Sequence, residues 1–318
     1  MDIDYLLLLQ QFREATGGVL NSFMSYITTY GEGLLTMMLV AAVYWCVEKE
    51  QGVTTLFTWG TGNLMNGFLK VTACAYRPWV RDSRVVPVDG AKTKATGYSF
   101  PSGHTTNATA VYGSMAMNKR VGKGLRVLAI VLIALVGFSR NYLGVHTPQD
   151  VLVGCGITVL LLFFCRWLLR QVEKKSWLDI VVLVVGLALA ALVMVYACNK
   201  SYPLDYDESG KLLVDPVTMA VDTYKNCGFF MAVLICWFVD RRWLKYEVTG
   251  TPMQRVTRYV AGILGYFAVL YVIVPLLPST ILGCVMNNFI RLLYVMLVVP
   301  ACIKLSCNRK AKREAETA

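Results

Sequence analysis

Residues 139–169 read SRNYLGVHTPQDVLVGCGITVLLLFFCRWLL. From Val151 onward the stretch is almost wholly apolar. About 20 such residues suffice for a helix to cross a bilayer of about 30 Å. The part before it is polar and holds Ser139, Arg140, His146 and Asp150. Thr147-Pro148-Gln149-Asp150 reads as a helix start, with Thr as cap, Pro at the first helical position and an acid at the third. The stretch therefore predicts a membrane helix over about 150–169 with a cation, an imidazole and a carboxylate at its mouth.

Working outward, apolar segments recur at about 32–47, 52–70, 103–118, 124–139, 177–197, 219–239, 257–276 and 280–303. The chain has 318 residues, 56% hydrophobic and 16% charged, with a mean hydropathy of +0.52. That is less charge than a soluble domain carries. The expected fold is all-α, a polytopic transmembrane helical bundle. Residues 1–30 are mixed: Arg13 and Glu14 interrupt the apolar pattern and Gly17-Gly18 breaks it. They predict an interfacial helix. Met1-Asp2-Ile3-Asp4 lacks the basic start of a secretory signal. Thr58, Thr61, Asn63 and Asn66 in one segment, and Thr105, Thr106, Asn107 and Thr109 in the next, are costly in hydrocarbon and are expected to face the bundle interior.

The net charge of +11 does not indicate nucleic-acid binding, because the basic residues cluster at the ends of apolar segments. Alternate loops hold Lys49; Lys119, Arg120, Lys123 and Arg126; Arg166, Arg170, Lys174 and Lys175; Arg241, Arg242, Lys245, Arg255 and Arg258; and Lys304, Arg309, Lys310, Lys312 and Arg313. The opposite loops, motif residues aside, hold eight cations against these nineteen: Arg13, Arg81, Arg84, Lys92, Lys94, Lys200, Lys211 and Lys225. By the positive-inside rule the first set is cytoplasmic. Residues 304–318 are then a basic cytoplasmic tail, and loops 71–100 and 140–149 share the outer side. Ten cysteines are scattered singly, with neither zinc-site spacing nor a disulfide framework.

The other of the chain's two histidines, His104, closes Pro101-Ser102-Gly103-His104 at the start of an apolar segment. Free N–H groups at a helix start, with the helix dipole, attract anions. Gly103 lets a ligand approach the backbone. Lys70, six residues, then Arg77-Pro78 adds two cations. Each cluster also has a plainer reading: His104 incidental to a cap, Asp150 a cap alone, Arg140, Lys70 and Arg77 interfacial anchors. Asp150 on one nitrogen of His146 would fix the tautomer and free the other to attack.

Together, Lys-x6-Arg-Pro, Pro-Ser-Gly-His and Ser-Arg-x5-His-x3-Asp resemble the signature of the type-2 phosphatidic acid phosphatase superfamily. All three match without substitution over roughly residues 20–170. The resemblance implies a six-helix phosphatase core at 31–175, followed by about three extra spans at 176–303. It implies that His146 is a nucleophile forming a phosphohistidine, Asp150 its orienting partner and His104 the general acid. Lys70, Arg77, Ser102, Gly103 and Arg140 would form the phosphate cradle, with no metal or other cofactor. The expected substrate is a lipid phosphate or diphosphate, polyprenyl diphosphate or phosphatidate-like, in a plasma membrane (a bacterial one by its compact loops), with the site extracytoplasmic. Two alternatives stay open: a lipid phosphotransferase using the same site, and a phosphate-lipid transporter or binding protein. The second has no need of a nucleophile backed by a carboxylate. Arg291, inside the last apolar segment, is either functional or paired with a neighbouring helix.

Overall fold

The computed structural model describes the backbone of residues 2–317 and the side chains of residues 2–308. The tail residues Arg309, Lys310, Lys312 and Arg313 fall outside the described side chains. Every apolar segment expected from the sequence lies on a helix. In chain order the helices are α1 (Asp2–Ala15), α2 (Asn21–Ile27), α3 (Gly33–Ala42), α4 (Lys49–Ala73), α5 (Pro78–Arg81), α6 (Ala91–Lys94), α7 (Gly103–Met117), α8 (Lys123–Tyr142), α9 (Pro148–Lys174), α10 (Leu178–Asn199), α11 (Pro216–Val239), α12 (Pro252–Ala268), α13 (Ile281–Leu293) and α14 (Val299–Thr317). Among the described residues there is no strand, only one isolated bridge between Tyr206 and Leu212. All ten cysteines are free.

Five helical stretches are long and apolar enough to cross a membrane: 123–142, 148–174, 178–199, 252–276 and 281–308. A sixth arises if Asn21–Gly31 and Gly33–Val47, bent by 53°, count as one span. The expected interfacial segment thus contains α1, and its second half continues through the bend into the first apolar helix. Of the remaining long helices, α4 and α11 are too polar to count as apolar spans, and α7, with 15 residues, is too short. They lie inside the bundle. α4 packs against α7 and α9 on one side and α11 on the other, while α11 also packs on α10 and α13. Thr58, Asn66, Thr105, Thr106 and Thr109 are buried there. Thr58 Oγ1 donates to Thr54 O (2.8 Å) on its own helix, whereas the buried Thr109 Oγ1 has no partner among the described residues. Gly228 lets α11 and α13 touch: a Cβ there would lie 2.3 Å from Val285 O.

Helix starts follow the local sequence. Thr147 and Asp150 form a capping box at α9, with Pro148 in the first turn. Ser102 caps α7 by accepting from Thr105 N, and Asp215 caps α11 by accepting from Val217 N and Thr218 N. Each such cap is worth about 1 kcal/mol.

The two ends of the bundle are separately tied. At one end Arg242 holds Asp179 (2.6 Å), Lys49 pairs with Asp240, and Arg120 with Glu48. At the other end Arg13 Nη2 donates to Val86 O (2.7 Å), and Tyr76 donates to Asp205 Oδ2 (2.6 Å). Lys200 Nζ donates to Thr72 O (2.9 Å) there as well. The amphipathic α1 is thereby pinned to the 78–90 loop, at the end where the motif residues lie.

Candidate active site

The site is built where α4 ends and α7 and α9 begin. The turn after α8 reverses the chain: Val145 N and His146 N both donate to Arg140 O (3.1 and 3.3 Å). Asn141 Nδ2 donates to His146 O (2.9 Å). This holds the His146 ring, 2% exposed, against the start of α9. A Cβ on Gly154 would lie 3.0 Å from Ser102 O, so glycine here lets α9 pack tightly on the start of α7. Ser102 N donates to Asp150 O (2.9 Å). The Pro-Ser-Gly-His and His-x3-Asp segments are thus joined through backbone.

His146 sits between an acceptor and a donor. Nδ1 lies 3.2 Å from Asp150 Oδ2, and Nε2 lies 2.9 Å from Arg77 Nη1. A carboxylate only accepts and a guanidinium only donates. The ring is therefore held with the proton on Nδ1 and the lone pair on Nε2. Burial, then Arg77, Arg140 and Lys70, hold this imidazole well below its ordinary pKa. That favours the neutral ring. Asp150 Oδ2 also accepts from Thr147 N (2.8 Å) and from Ser99 Oγ. One oxygen therefore both caps α9 and orients the ring.

Arg77 is more constrained than an interfacial anchor. Its Nε donates to Gly97 O (3.0 Å), its Nη2 to Thr96 O (2.8 Å), and its Nη1 to Val145 O (2.9 Å). Burial, partly offset by Asp150, lowers it to about 10, so it stays charged. Arg140 donates from Nη1 to Thr28 Oγ1 (2.7 Å). Its Nε is buried with no partner, and an unmade bond of that kind costs about 1–3 kcal/mol. Lys70 Nζ donates once, to Tyr98 O (2.9 Å), leaving two N–H groups. Ser102, fully buried, accepts with its hydroxyl oxygen from Thr105 N and Thr105 Oγ1, which leaves its own O–H to donate. It shapes the helix start, and the N–H groups of Gly103 and His104 in the first turn of α7 have no helical partner. The His104 ring makes no hydrogen bond among the described residues. Its backbone lies against Gly31, where a Cβ would meet His104 O at 2.7 Å.

Lys70, Arg77 and Arg140 against Asp150 leave two uncompensated positive charges around a neutral His146. A phosphate monoester carries about −1.5 to −2 at neutral pH, so the charge matches. Among the described residues no three His, Cys, Asp or Glu side chains gather as a metal site. The sequence reading missed Ser99, which donates to Asp150 and lies 3.4 Å from His146 Nδ1. It stands outside every motif spacing, and only the fold brings it in.

Residues 51–175 match the PAP2 superfamily. Residues 224–310 match the PAP2 superfamily phosphatase, transmembrane extension. The chain is 30% identical over 167 residues to the phosphatidylglycerophosphatase B of Bacillus subtilis, covering 49% of this chain and 78% of that protein. It is 29% identical over 157 residues to an undecaprenyl-diphosphatase of the same organism, covering 46% and 74%. It is 28% identical over 169 residues to a dihydrosphingosine 1-phosphate phosphatase of Schizosaccharomyces pombe, covering 50% of this chain and 40% of that longer protein. No solved structure matches the chain. With its motif residues gathered at one end of a membrane-spanning bundle and most of a curated phosphatase matched, this chain belongs to the PAP2 superfamily and is a phosphoric-ester hydrolase of that family.

Proposed function

We propose that the chain is a lipid phosphatase that removes a terminal phosphate from a lipid phosphate or diphosphate through a phosphohistidine on His146. The observation that carries this reading is the His146 ring, held with Nδ1–H on Asp150 and its Nε2 lone pair on Arg77 Nη1. A bound phosphate offers oxygens to Arg77 and draws that N–H off the lone pair. Nε2 then forms a bond to phosphorus as the bond to the leaving oxygen breaks, and His104, which takes up a proton as the negative phosphate binds beside it, gives that proton to the leaving oxygen. In the second step His104 takes a proton from water, whose oxygen replaces Nε2 on phosphorus. Lys70, Arg77, Arg140 and the N–H groups of Gly103 and His104 stabilise charge on the non-bridging oxygens. The relatives' names, a phosphatidylglycerophosphatase, an undecaprenyl-diphosphatase and a sphingoid phosphate phosphatase, support a lipid substrate.

The loop-charge bias supports a site on the extracytoplasmic face of the plasma membrane. Cysteine labelling on intact cells then reaches positions near Arg84 and Lys211 and spares those near Lys123. Labelling in the opposite sense moves the site to the cytoplasm. The test of function is phosphate release by the purified chain across phosphatidate, phosphatidylglycerol phosphate, prenyl diphosphate and sphingoid phosphate. Release from at least one without an added acceptor is expected. Release that requires an acceptor lipid makes the chain a phosphotransferase, and no release with retained binding makes it a binding protein.

A further inference from the structure

Beside the catalytic site, between the core and the C-terminal extension, α4, α11, α13 and Thr96 line a half-open cavity of about 420 Å³. Its lining includes Lys70, Lys225 and Arg291 with the amides of Asn226, Asn287 and Asn288. The single acid, Asp222, lies 3.4 Å from Lys225. Lys225 and Arg291 against Asp222 leave one positive charge here beyond that of Lys70, which the two sites share. None of His104, His146, Asp150 or Arg140 lines it, so it is a neighbouring cavity that shares Lys70 with the site.

Arg291 is the telling residue. It lies ten residues into α13, about 15 Å along the helix from Ile281. A cation at such depth is expensive unless it faces a partner or a polar cavity. It forms no hydrogen bond or ion pair among the described residues, and its Nε is buried without a partner. Asn288 Nδ2 donates to Lys225 O (3.0 Å), which ties α13 to α11 and holds the rim. The cavity size lies in the range of small-ligand sites. Its lining is rich in donors and cations, which suits an anionic head group and not an acyl or prenyl tail. An ammonium has three N–H groups. Lys70 uses one on Tyr98 O and has two left, enough to touch the reacting phosphate and a neighbour together.

We propose that this chamber is a second-phosphate subsite, which holds the non-reacting phosphoryl group of a lipid substrate that carries two. Arg291, Lys225 and the three asparagines grip that group while Lys70 bridges it to the phosphate under attack. The subsite rests on the lipid-phosphatase reading and extends it to substrate selection. Two substrates share this chemistry: a prenyl diphosphate, whose inner phosphate is adjacent, and a lipid with a terminal phosphomonoester and an inner phosphodiester separated by glycerol.

The test is binding to the full chain in detergent micelles, in a His146→Ala background that prevents turnover. The probes are a prenyl diphosphate, the corresponding monophosphate, and the glycerol-separated lipid. Arg291→Gln, and separately Lys225→Gln, should weaken a two-phosphate lipid about 10- to 100-fold relative to the monophosphate, the loss expected for a charged hydrogen bond. Whichever lipid loses its advantage names the spacing the chamber fits. Equal weakening of all three probes in both variants, or no weakening of any, overturns the subsite. A native chain that releases phosphate from no lipid removes the catalytic reading, and the binding preference still reports on the chamber by itself.

Discussion

Replacing Asp150 with Asn separates its two duties. Asp150 Oδ2 receives His146 Nδ1, Thr147 N and Ser99 Oγ. An amide oxygen in that place keeps the shape but loses the charge. When Nε2 attacks phosphorus the ring becomes cationic. At about 4 Å and an effective dielectric of about 20, the lost attraction amounts to about 4 kcal/mol. That is about 1,000-fold in kcat at 1.36 kcal/mol per decade. If the amide instead turns its NH2 toward Nδ1, the ring takes the other tautomer and Nε2 has no lone pair, which deepens the loss. Thr147→Ala removes only the other half of the capping box, a 3.4 Å bond to Asp150 N. Its cost is about 1 kcal/mol of stability and a kcat change within about 5-fold. The assay is kcat on a lipid phosphate for both variants, beside their melting temperatures in detergent. If Asp150→Asn keeps more than about a tenth of kcat, and loses no more than its melting temperature explains, Asp150 is a helix cap and the orienting role is wrong.

Ser99→Ala removes one charged hydrogen bond to Asp150 and should lower kcat about 10-fold with KM little changed; a KM effect alone would place Ser99 in substrate binding. With imidazole, ammonium and guanidinium groups performing the steps, EDTA should leave turnover intact, and loss restored by magnesium would refute that mechanism. His146 has a folded pKa well below its ordinary value, so between that value and about 6.5 the unfolded chain binds the extra proton. This contribution to stability is therefore full above about pH 6.5 and falls as pH drops, by up to about 1.4 kcal/mol per unit. His146→Gln should flatten the fall of melting temperature between about pH 6.5 and 5; an unchanged slope would show that His146 is not buried neutral.

What the sequence disclosed follows from where its information is local. Helix starts at Thr147-Pro148 and Ser102 were readable because capping involves residues three apart. His146 and Asp150, four apart across a helix start, were readable for the same reason. The nine apolar segments gave the helices, and polar threonines and asparagines marked two of the inner ones, α4 and α7, but not α11. Ser99 was not readable, because its bond to Asp150 spans fifty-one positions and no periodicity links them. Nor was the anchoring of Arg77 on the carbonyls of Thr96, Gly97 and Val145, which depends on how the loop folds back. Lys225 and Arg291 read as an outer-loop cation and an intramembrane Arg. Only the packing of α11 against α13 puts both in one cavity with Lys70. The bend after Gly31 was also silent, since the chain continues helical on both sides and its direction is set by packing on α7 and α8.

The central claim is that His146 carries the phosphate between the two steps. The direct measurement is a rapid quench of the purified chain with a lipid substrate labelled in its terminal phosphate, followed by denaturation and peptide mapping. The account predicts a transient label, acid-labile and base-stable, on the peptide containing His146. It should be absent in His146→Ala and formed in His104→Ala when the leaving group is an activated aryl oxygen that needs no proton. Turnover by the native chain with no label, or a label on any residue other than His146, would contradict it.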